Sequence, residues 1–539
     1  MKKVLIGIIV AVAVLAVGVF ALTRAAENKL HKALADLPGA QIDFKKASLS
    51  PILGNLEFRD VEITLKDSTH AGPDVQGSIE AIKLEQLSWR SLMKGEAKAK
   101  SLVIRGPMAQ LVLPAKPADE KTEEQKPAEV KEDSTAQSAQ DFFLKKVSLS
   151  ELRVEKAKVG LRSQNDSLKV DAQDIAFSVN DISFLLADNR IEYNDSSYCF
   201  SLENLDYIDA PGLNRIQIGH LGTSNAGPIE GLNMHLYNCV PMEEVAVRMG
   251  KVAAMWYDVK LDSLCTSPIN IPRLIKDQNI NIESVHLASP EIVIFQDDRY
   301  PPAVPYPTIQ ESLNTLELPL NIQKIDASIK AFTFIWETTH INRGTFPLHN
   351  VRLSINSVSN AHNNVMDLGI RSGEKGQGYL DLSVSIRNDK PETTHGKMKI
   401  NGLDASRLDS FIRPLFGATA RANIHQIDCT FKGNKHQMTE DFCMQYDHLT
   451  LQAWNDSNAP FKIVAKNSGA ISFLANLVAP DANPTKPGKA PKRVEVTFDR
   501  DPMTPYPAYL IQNLTMGMLR TVLPGGSVHK KDNKKDKKK

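Results

Sequence analysis

GYLDLSVSIRND, residues 378–389, alternates between apolar and polar side chains. Its aliphatic residues are Leu380, Leu382, Val384 and Ile386. Because successive side chains of a β-strand point to opposite faces, this pattern predicts a strand with one apolar and one polar face. The same alternation recurs at 61–66, 325–330 and 494–499. Strands of this kind are typical of an antiparallel sheet with one solvated face.

A longer repeat extends this pattern. The segments SLMKGEAKAKSLVIRGPMAQLVL (91–113) and RLIKDQNINIESVHLASPEIVIF (273–295) resemble each other when one gap is allowed. Each predicts a short turn around Leu92 or Leu274, a strand, a kink at Pro107 or Pro290, and a second strand. A repeated strand–turn unit favours a sheet that grows by stacking. We therefore expect a mainly β chain built on an elongated, twisted antiparallel sheet.

Two helices are predicted near the C-terminus. LDASRLDSFIRPLF (403–416) has Asp404 or Ser406 in position to cap a helix. Residues 506–523 place apolar side chains four residues apart and end before Pro524, which predicts an amphipathic helix.

The N-terminus predicts a membrane anchor. Residues 4–22 form a run of nineteen residues without a charge or a proline, preceded by Lys2 and Lys3. A helix of this length spans roughly 28 Å, close to the thickness of the hydrocarbon core. The alternative is a cleaved secretory signal, whose apolar region is usually only about 7–15 residues long. A retained single-pass anchor is therefore expected.

Two other segments are predicted to be disordered. Residues 114–140 contain seven acids, four lysines, three prolines and no aromatic residue, so they cannot bury enough apolar area to fold. The last ten residues hold seven lysines and two aspartates, whereas the whole chain of 539 residues has a formal net charge of only +1. The overall charge does not indicate a nucleic-acid partner.

No catalytic or cofactor motif stands out. The sequence lacks GxSxG, HExxH, GxxxxGK[ST] and GxGxxG, so no enzymatic activity and no cofactor are predicted. The metal candidates His425, Cys429, His436, Cys443 and His448 are separated by 3, 6, 6 and 4 residues, spacings that match no compact zinc site. We expect no metal, and we expect Cys429 to pack as a small buried thiol.

Both ends of the chain resemble the AsmA-like family of bacterial envelope proteins, which includes bridge-like lipid transfer proteins and relatives in outer-membrane biogenesis. The resemblance rests on FKKASLSPILGNLEFRDVEI (44–63), SIEAIKLEQLSW (78–89), IDCTFKGNKHQMTEDFCMQYDHLTLQ (427–452) and VEVTFDRDPMTPYPAYLIQNLTMGMLRTVLP (494–524). It implies a gutter-like sheet that forms an open groove with an apolar inner face and conducts phospholipid. It also implies a location in the inner membrane, with the bulk of the chain in the periplasm. Without this resemblance, the apolar faces would indicate the core of a sandwich or barrel.

These patterns lead to specific expectations. The expected segments are an N-terminal flank (1–3), the anchor (4–22), an N-terminal β-groove segment (23–113), a charged linker (114–140), central β-groove repeats (141–402), a β/α closing region (403–523) and a Lys-rich tail (524–539). The residues predicted to line the groove are Leu102, Ile104, Val285, Leu287, Ile325, Ile329, Val351, Leu353, Ile355, Leu382, Val384 and Ile386. The residues predicted to contact a membrane are Leu510, Leu514, Met518, Lys530, Lys531, Lys534 and Lys535.

The expected partners are membrane phospholipids, and outer-membrane proteins or other envelope components are the alternative. In that alternative the chain is a non-enzymatic scaffold that pairs its sheet edges with partner strands. The alternative for the C-terminal helix is that it caps the open end of the sheet.

Overall fold

The computed structural model describes residues 40–50, 52–65, 75–113, 146–163, 168–185, 190–192, 197–209, 211–338, 343–374, 378–388, 392–416, 418–453 and 479–522. The predicted anchor, the charged linker and the Lys-rich tail lie outside these residues. Strands account for 66% and helices for 12% of the structure, so the mainly β prediction is confirmed. The chain divides into two compact units: unit 1 is Met1–Cys239 with Ser267–Lys276, and unit 2 is Val240–Thr266 with Asp277–Lys539.

The described strands of unit 1 pair in sequence order. They are β1 (Ala40–Ser50), β2 (Asn55–Leu65), β3 (Val75–Glu85), β4 (Glu96–Arg105), β5 (Met108–Leu113), β6 (Lys146–Ser163), β7 (Lys169–Leu185), β8 (Arg190–Glu192), β9 (Tyr198–Ile208), β10 (Asn214–Ser224) and β11 (Glu230–Asn238). β4 and β5 share one place in the sheet, between β3 and β6. β7 pairs with β9 along most of its length and with β8 at its end.

Unit 2 repeats this arrangement. Its described strands are β12 (Ala254–Thr266), β13 (Ile280–Ala288), β14 (Glu291–Asp298), β15 (Leu320–Thr338), β16 (Gly344–Ser359), β17 (Val365–Glu374), β18 (Gly378–Arg387), β19 (Thr393–Asp404), β20 (Ala418–Asn434), β21 (Gln437–Ala453) and β22 (Arg493–Asp499). β13 and β14 lie between β12 and β15, as β4 and β5 lie between β3 and β6. The repeat predicted from the sequence is therefore present, with its kinks at Pro107 and Pro290.

The described helices are short except for the last. They are α1 (Trp89–Leu92), α2 (Val245–Arg248), α3 (Ile271–Asp277), α4 (Ile309–Asn314), α5 (Asp409–Phe416) and α6 (Tyr506–Val522), with 3-10 turns at Met242–Glu244 and Ala405–Leu408. The two predicted C-terminal helices are confirmed. Asp404 is the capping residue, because its Oδ1 accepts a hydrogen bond from Ser406 N at 2.9 Å.

The prediction of a purely antiparallel sheet is wrong, because each unit contains parallel pairs. β4 and β5 run parallel to β6, and β13 and β14 run parallel to β15. Parallel neighbours need a crossover connection of about a dozen residues or more. Residues 114–145 provide this connection in unit 1, and residues 299–319 provide it in unit 2. The charged linker therefore falls where the chain must cross over, and the sheet is mixed.

Candidate functional site

The predicted lining residues of unit 2 lie in adjacent rows across consecutive strands. One row runs through Val285, Ile325, Ile355, Leu368 and Val384. The next row runs through Leu287, Ala327, Leu353, Ile370 and Leu382. A third contact pairs Ile329 with Val351, and Ile386 pairs with Met366. The register thus brings these residues onto one apolar face of β13–β18.

Coverage of this face differs along the strands. Ile329, Val351, Val384 and Ile386 are buried. The half-buried lining residues are Val285, Leu287, Ile325, Leu353, Ile355 and Leu382. Within the described residues, the hydrophobic cluster centred on Ala327, Ile329 and Val351 is built from strand residues alone. Leu287 and Leu353, which pack against this cluster, are only half-buried, so part of their apolar surface is exposed to solvent.

The C-terminal helix covers another part of the same face. Tyr506, Tyr509 and Val522 of α6 belong to the same buried cluster as Val384 and Ile386. Leu510, Leu514 and Met518, predicted to contact a membrane, pack against this cluster. In the structure these three side chains contact the protein's own sheet, which agrees with the capping alternative for this helix. The predicted lysines 530, 531, 534 and 535 lie outside the described residues.

A buried carboxyl lies beneath this helix. Glu440 is 1% exposed and lies on the same face of β21 as the buried residues Met438 and Phe442, two positions before and after it. A Cβ atom on Gly517 of α6 would lie 2.6 Å from Glu440 Oε1, so glycine permits the close approach of helix to sheet. Burial raises the pKa of Glu440 to about 8. The helix therefore covers a protonatable group inside an apolar face.

In unit 1, residues of two short helices cover part of the apolar face. Leu102 and Ile104, both predicted to line the groove, are buried in a cluster that extends over β1–β9. Trp89 of α1 and Ile271 of α3 pack against this cluster. Tyr198 forms two hydrogen bonds with the chain at the start of α3. Its hydroxyl donates to Ile269 O and accepts from Ile271 N, each at 3.1 Å. Sequence reasoning did not foresee this cover over the two predicted lining residues.

The same face is open on β9–β11. Two rows cross these strands: Tyr207, Ile216 and Leu236, and Leu205, Ile218 and Met234. All six side chains are half-buried. Sequence reasoning missed these rows, although the alternation in NRIQIGH (214–220) was visible. They form a second open apolar surface, in unit 1.

A recurrent kink keeps the apolar residues of long strands on one face. With strict alternation, the residue after Phe58 on the buried face of β2 would be Asp60. β2 instead buries Leu56, Phe58 and then Val61, which lies three positions after Phe58. Of the two residues between Phe58 and Val61, the second, Asp60, has a φ of 52°. Similar angles occur at Lys156 (53°), Asp174 (48°), Asn204 (53°), Asn233 (52°), Ser289 (51°) and Asn350 (50°). Asn and Asp tolerate this left-handed conformation better than most residues.

The kinks do not follow from a strict period of two, which predicts unbroken alternation along each strand. Their sequence signal is a doublet of polar residues between apolar ones, as in Leu202–Leu205. On neighbouring strands the kinks align: Gly219 of β10 lies opposite both Asn204 and Asn233. Each polar doublet moves the next apolar residue one position later in its strand. Because the doublets lie side by side on adjacent strands, the apolar face continues past the bend.

Charges concentrate on the opposite face of the strands. Arg215 pairs with Asp206 through Nε–Oδ1 and Nη2–Oδ2 contacts of 2.7 Å, and this pairing lowers the pKa of Asp206. Exposed ion pairs such as Lys324–Asp326 and Arg371–Asp381 follow the same pattern. The apolar face thus offers few partners for hydrogen bonds, whereas the polar face is solvated and charged.

The metal candidates do not come together. His425 Nε2 and His448 Nδ1 each contact Asp447, at 2.8 Å, on an exposed part of β20 and β21. Cys429 is buried on the inner face, where burial strongly raises the pKa of its thiol. Among the described residues, no group of three or more His, Cys, Asp or Glu side chains is arranged to hold a metal ion.

Comparison with known proteins adds no family assignment. A scan of the sequence against protein-family models gives no match, and a search of curated proteins finds no similar one. Within the described part of the chain, no helix combines the length and apolar character needed to cross a bilayer. The chemistry of the apolar face is therefore the main guide to function.

Proposed function

We propose that this chain binds phospholipid along the apolar face of its sheet and conducts it through the cell envelope in support of outer-membrane biogenesis. The observation that supports the proposal is the set of apolar rows on β9–β11 in unit 1, all half-buried, together with the half-buried members of the rows on β13–β18 in unit 2, which are Val285, Leu287, Ile325, Leu353, Ile355 and Leu382. Acyl chains need apolar area and no hydrogen-bond partners, which is what these rows offer. Each methylene group removed from water contributes about 0.8 kcal/mol, so several contacts give useful affinity without a specific polar contact.

The proposed mechanism is passive. Acyl chains lie against the apolar rows, and the headgroups stay in water beside the polar rims. No catalytic residue or cofactor takes part. In this proposal the apolar run 4–22 anchors the chain in the inner membrane as a single pass, and the bulk of the chain lies in the periplasm, where an open groove gives lipid its path.

The test is site-specific photocrosslinking of the full-length protein. A benzophenone amino acid at Leu353, half-buried on the open face of β16, should form adducts with phospholipid that mass spectrometry detects. Arg352 is the matched control, because it is exposed on the other face of the same strand. Lipid adducts at both positions to the same extent, or at neither, would count against the proposal.

A second candidate function is a scaffold for the assembly of outer-membrane proteins. The observation that favours it is β1, the first strand of the sheet, which pairs with β2 among the described strands. An edge strand of a sheet can accept a strand from a partner. Capture of β-barrel proteins by the wild-type chain, lost in Ala47→Pro but retained in Leu353→Asp, would favour the scaffold over lipid conduction.

A further inference from the structure

Two turns at the same end of the strands of unit 1 expose large apolar side chains to solvent. The turn between β1 and β2 carries Ile52, which is 97% exposed, and Leu53, which is 62% exposed. The connection between β3 and β4 carries Met93, which is 72% exposed and follows α1 directly. Single exposed apolar residues are common on protein surfaces, but a group of this kind marks an interaction surface.

The two turns share one ordered platform. Gly54 O accepts a hydrogen bond from Leu87 N at 2.8 Å, so the first turn is fixed to the start of the second connection. Gly54 has a φ of 65°, and a Cβ atom there would lie 2.4 Å from Leu87 O. The second connection is fixed by Leu92, which is only 2% exposed. The exposed side chains are therefore presented by backbone that is itself anchored in the sheet.

The charge of this surface favours an anionic partner. Segments 52–54 and 86–95, which form the two turns, contain the exposed residues Arg90 and Lys94 and no acid, although the exposed residues Glu85 and Glu96 flank the second segment. Apolar tips with adjacent basic residues suit the interface of an anionic bilayer, where the tips enter the acyl boundary and the cations meet phosphate. A stable protein partner usually buries about 800 Å² on each side, roughly 20–30 residues, whereas segments 52–54 and 86–95 together have only thirteen residues.

The position of the predicted anchor is compatible with this contact. Seventeen residues separate Leu22 from Ala40, where β1 begins. Extended chain spans at most about 3.3–3.6 Å per residue, so this connection can reach roughly 56–61 Å. An eleven-residue strand such as β1 is only about 36 Å long. The turn at the far end of β1 is therefore within reach of the bilayer that holds the anchor.

We propose that this surface of unit 1 docks on an anionic bilayer by inserting Ile52, Leu53 and Met93, while Arg90 and Lys94 bind lipid phosphates. The inference rests on the proposed function only in placing the chain beside a membrane. It would orient the strands of unit 1 end-on to the bilayer.

The test uses the full chain reconstituted in vesicles of phosphatidylethanolamine and phosphatidylglycerol. Cys199, Cys239 and Cys265 are replaced by serine, and a cysteine introduced by Met93→Cys carries the environment-sensitive fluorophore NBD. We expect a blue-shifted emission that lipids with brominated acyl chains quench. Pro211→Cys is the control. This residue is exposed in the turn between β9 and β10, at the opposite end of the strands of unit 1, and a label there should stay unquenched.

The outcomes separate this inference from the proposed function. Loss of quenching in Ile52→Asp/Leu53→Asp, with the label still on residue 93, would support insertion of the whole surface. Equal emission and quenching at positions 93 and 211 would overturn it. Phospholipid extracted from the same preparation reports on the apolar rows: bound lipid without insertion refutes only the docking surface, and insertion without bound lipid refutes only the lipid-binding function.

Discussion

Replacement of Glu440 by glutamine should change how firmly the C-terminal helix is held as pH rises. The carboxyl is 1% exposed beneath α6, and its Oε1 has no hydrogen-bond partner of good geometry among the described residues. Its Oε2 lies 3.6 Å from Cys429 Sγ. Burial raises the pKa of Glu440 from 4.5 to about 8, although the Cys429 thiol, the Gly517 backbone and the charge of Arg520 each act in the opposite direction. While the helix is docked, the carboxyl is therefore protonated at neutral pH.

The sign of the effect follows from proton linkage. Below pH 4.5 the carboxyl is protonated whether or not the helix covers it, so pH has no effect through this group. Between pH 4.5 and pH 8 the uncovered carboxyl ionises and the covered one does not, so stability of the docked state falls as pH rises. The slope is about 1.4 kcal/mol per pH unit, a factor of about ten in the opening equilibrium. Across the whole window the loss is about 5 kcal/mol.

Thiol labelling of Cys429 measures this equilibrium. Cys429 is 1% exposed in the same buried cluster, so it reacts only when the helix opens. The other four cysteines are replaced by serine, and the labelling rate is compared with that of Glu440→Gln at each pH. Because both proteins carry the same thiol, the ratio of rates removes the intrinsic effect of pH on cysteine reactivity.

The expected ratio rises about tenfold for each pH unit between roughly pH 5 and pH 8. Glu495→Gln is the control, because Glu495 is exposed on β22 and its replacement should leave the ratio flat. A constant ratio for Glu440→Gln over this window would refute the reasoning. It would mean that the carboxyl is ionised under the helix, or that labelling does not require the helix to open.

Three further predictions concern thermal stability, measured as Tm of the purified full-length protein. Gly396→Ala should destabilise by about 1–3 kcal/mol, since a Cβ there would lie 2.0 Å from a phenyl ring of β20; an unchanged Tm would contradict this packing. Arg299→Ala should lower the free energy of unfolding by about 3–5 kcal/mol, because it leaves the carboxylate of Asp297, 0% exposed, without its partner at 2.7 Å. Arg493→Ala removes an exposed ion pair and should lower the free energy of unfolding by less than about 1 kcal/mol. Equal losses would count against the burial of the first pair. Asn204→Ala should cost about 1–2 kcal/mol at a φ of 53°, and Asn204→Gly less; the reverse order would argue against the kink.

The position of α6 bears on how the apolar face could be used. The helix occupies part of the face that the predicted lining residues Val384 and Ile386 share, so these two side chains meet protein in the structure. Lipid contact at these two positions, or membrane contact by Leu510, requires the helix to leave the sheet. In the proposed function, lipid therefore binds first where the face is open, as at Leu353.

The local pattern of the sequence was enough to predict the strands, the repeat and which side chains of a strand share a face. Alternation at 378–389 predicted β18 and placed its apolar residues correctly, because the two-residue period of a strand is a local property. The two C-terminal helices followed from local spacing in the same way, and the structure selects Asp404 from the two predicted cap candidates. The twelve predicted lining residues all belong to described strands, and the register places ten of them on neighbouring strands of unit 2.

Only the tertiary structure decided strand direction, coverage and the chemistry beneath the helix. The parallel pairing of β13 and β14 with β15 depends on where a long connection returns, which alternation does not encode. Whether Leu353 stays open or Val384 is covered depends on α6, which lies more than a hundred residues away in the chain. The buried state of Glu440 likewise arises because Gly517 lets that helix approach. Alternation within a strand assigns residues to a face, but contacts between distant segments determine what that face meets.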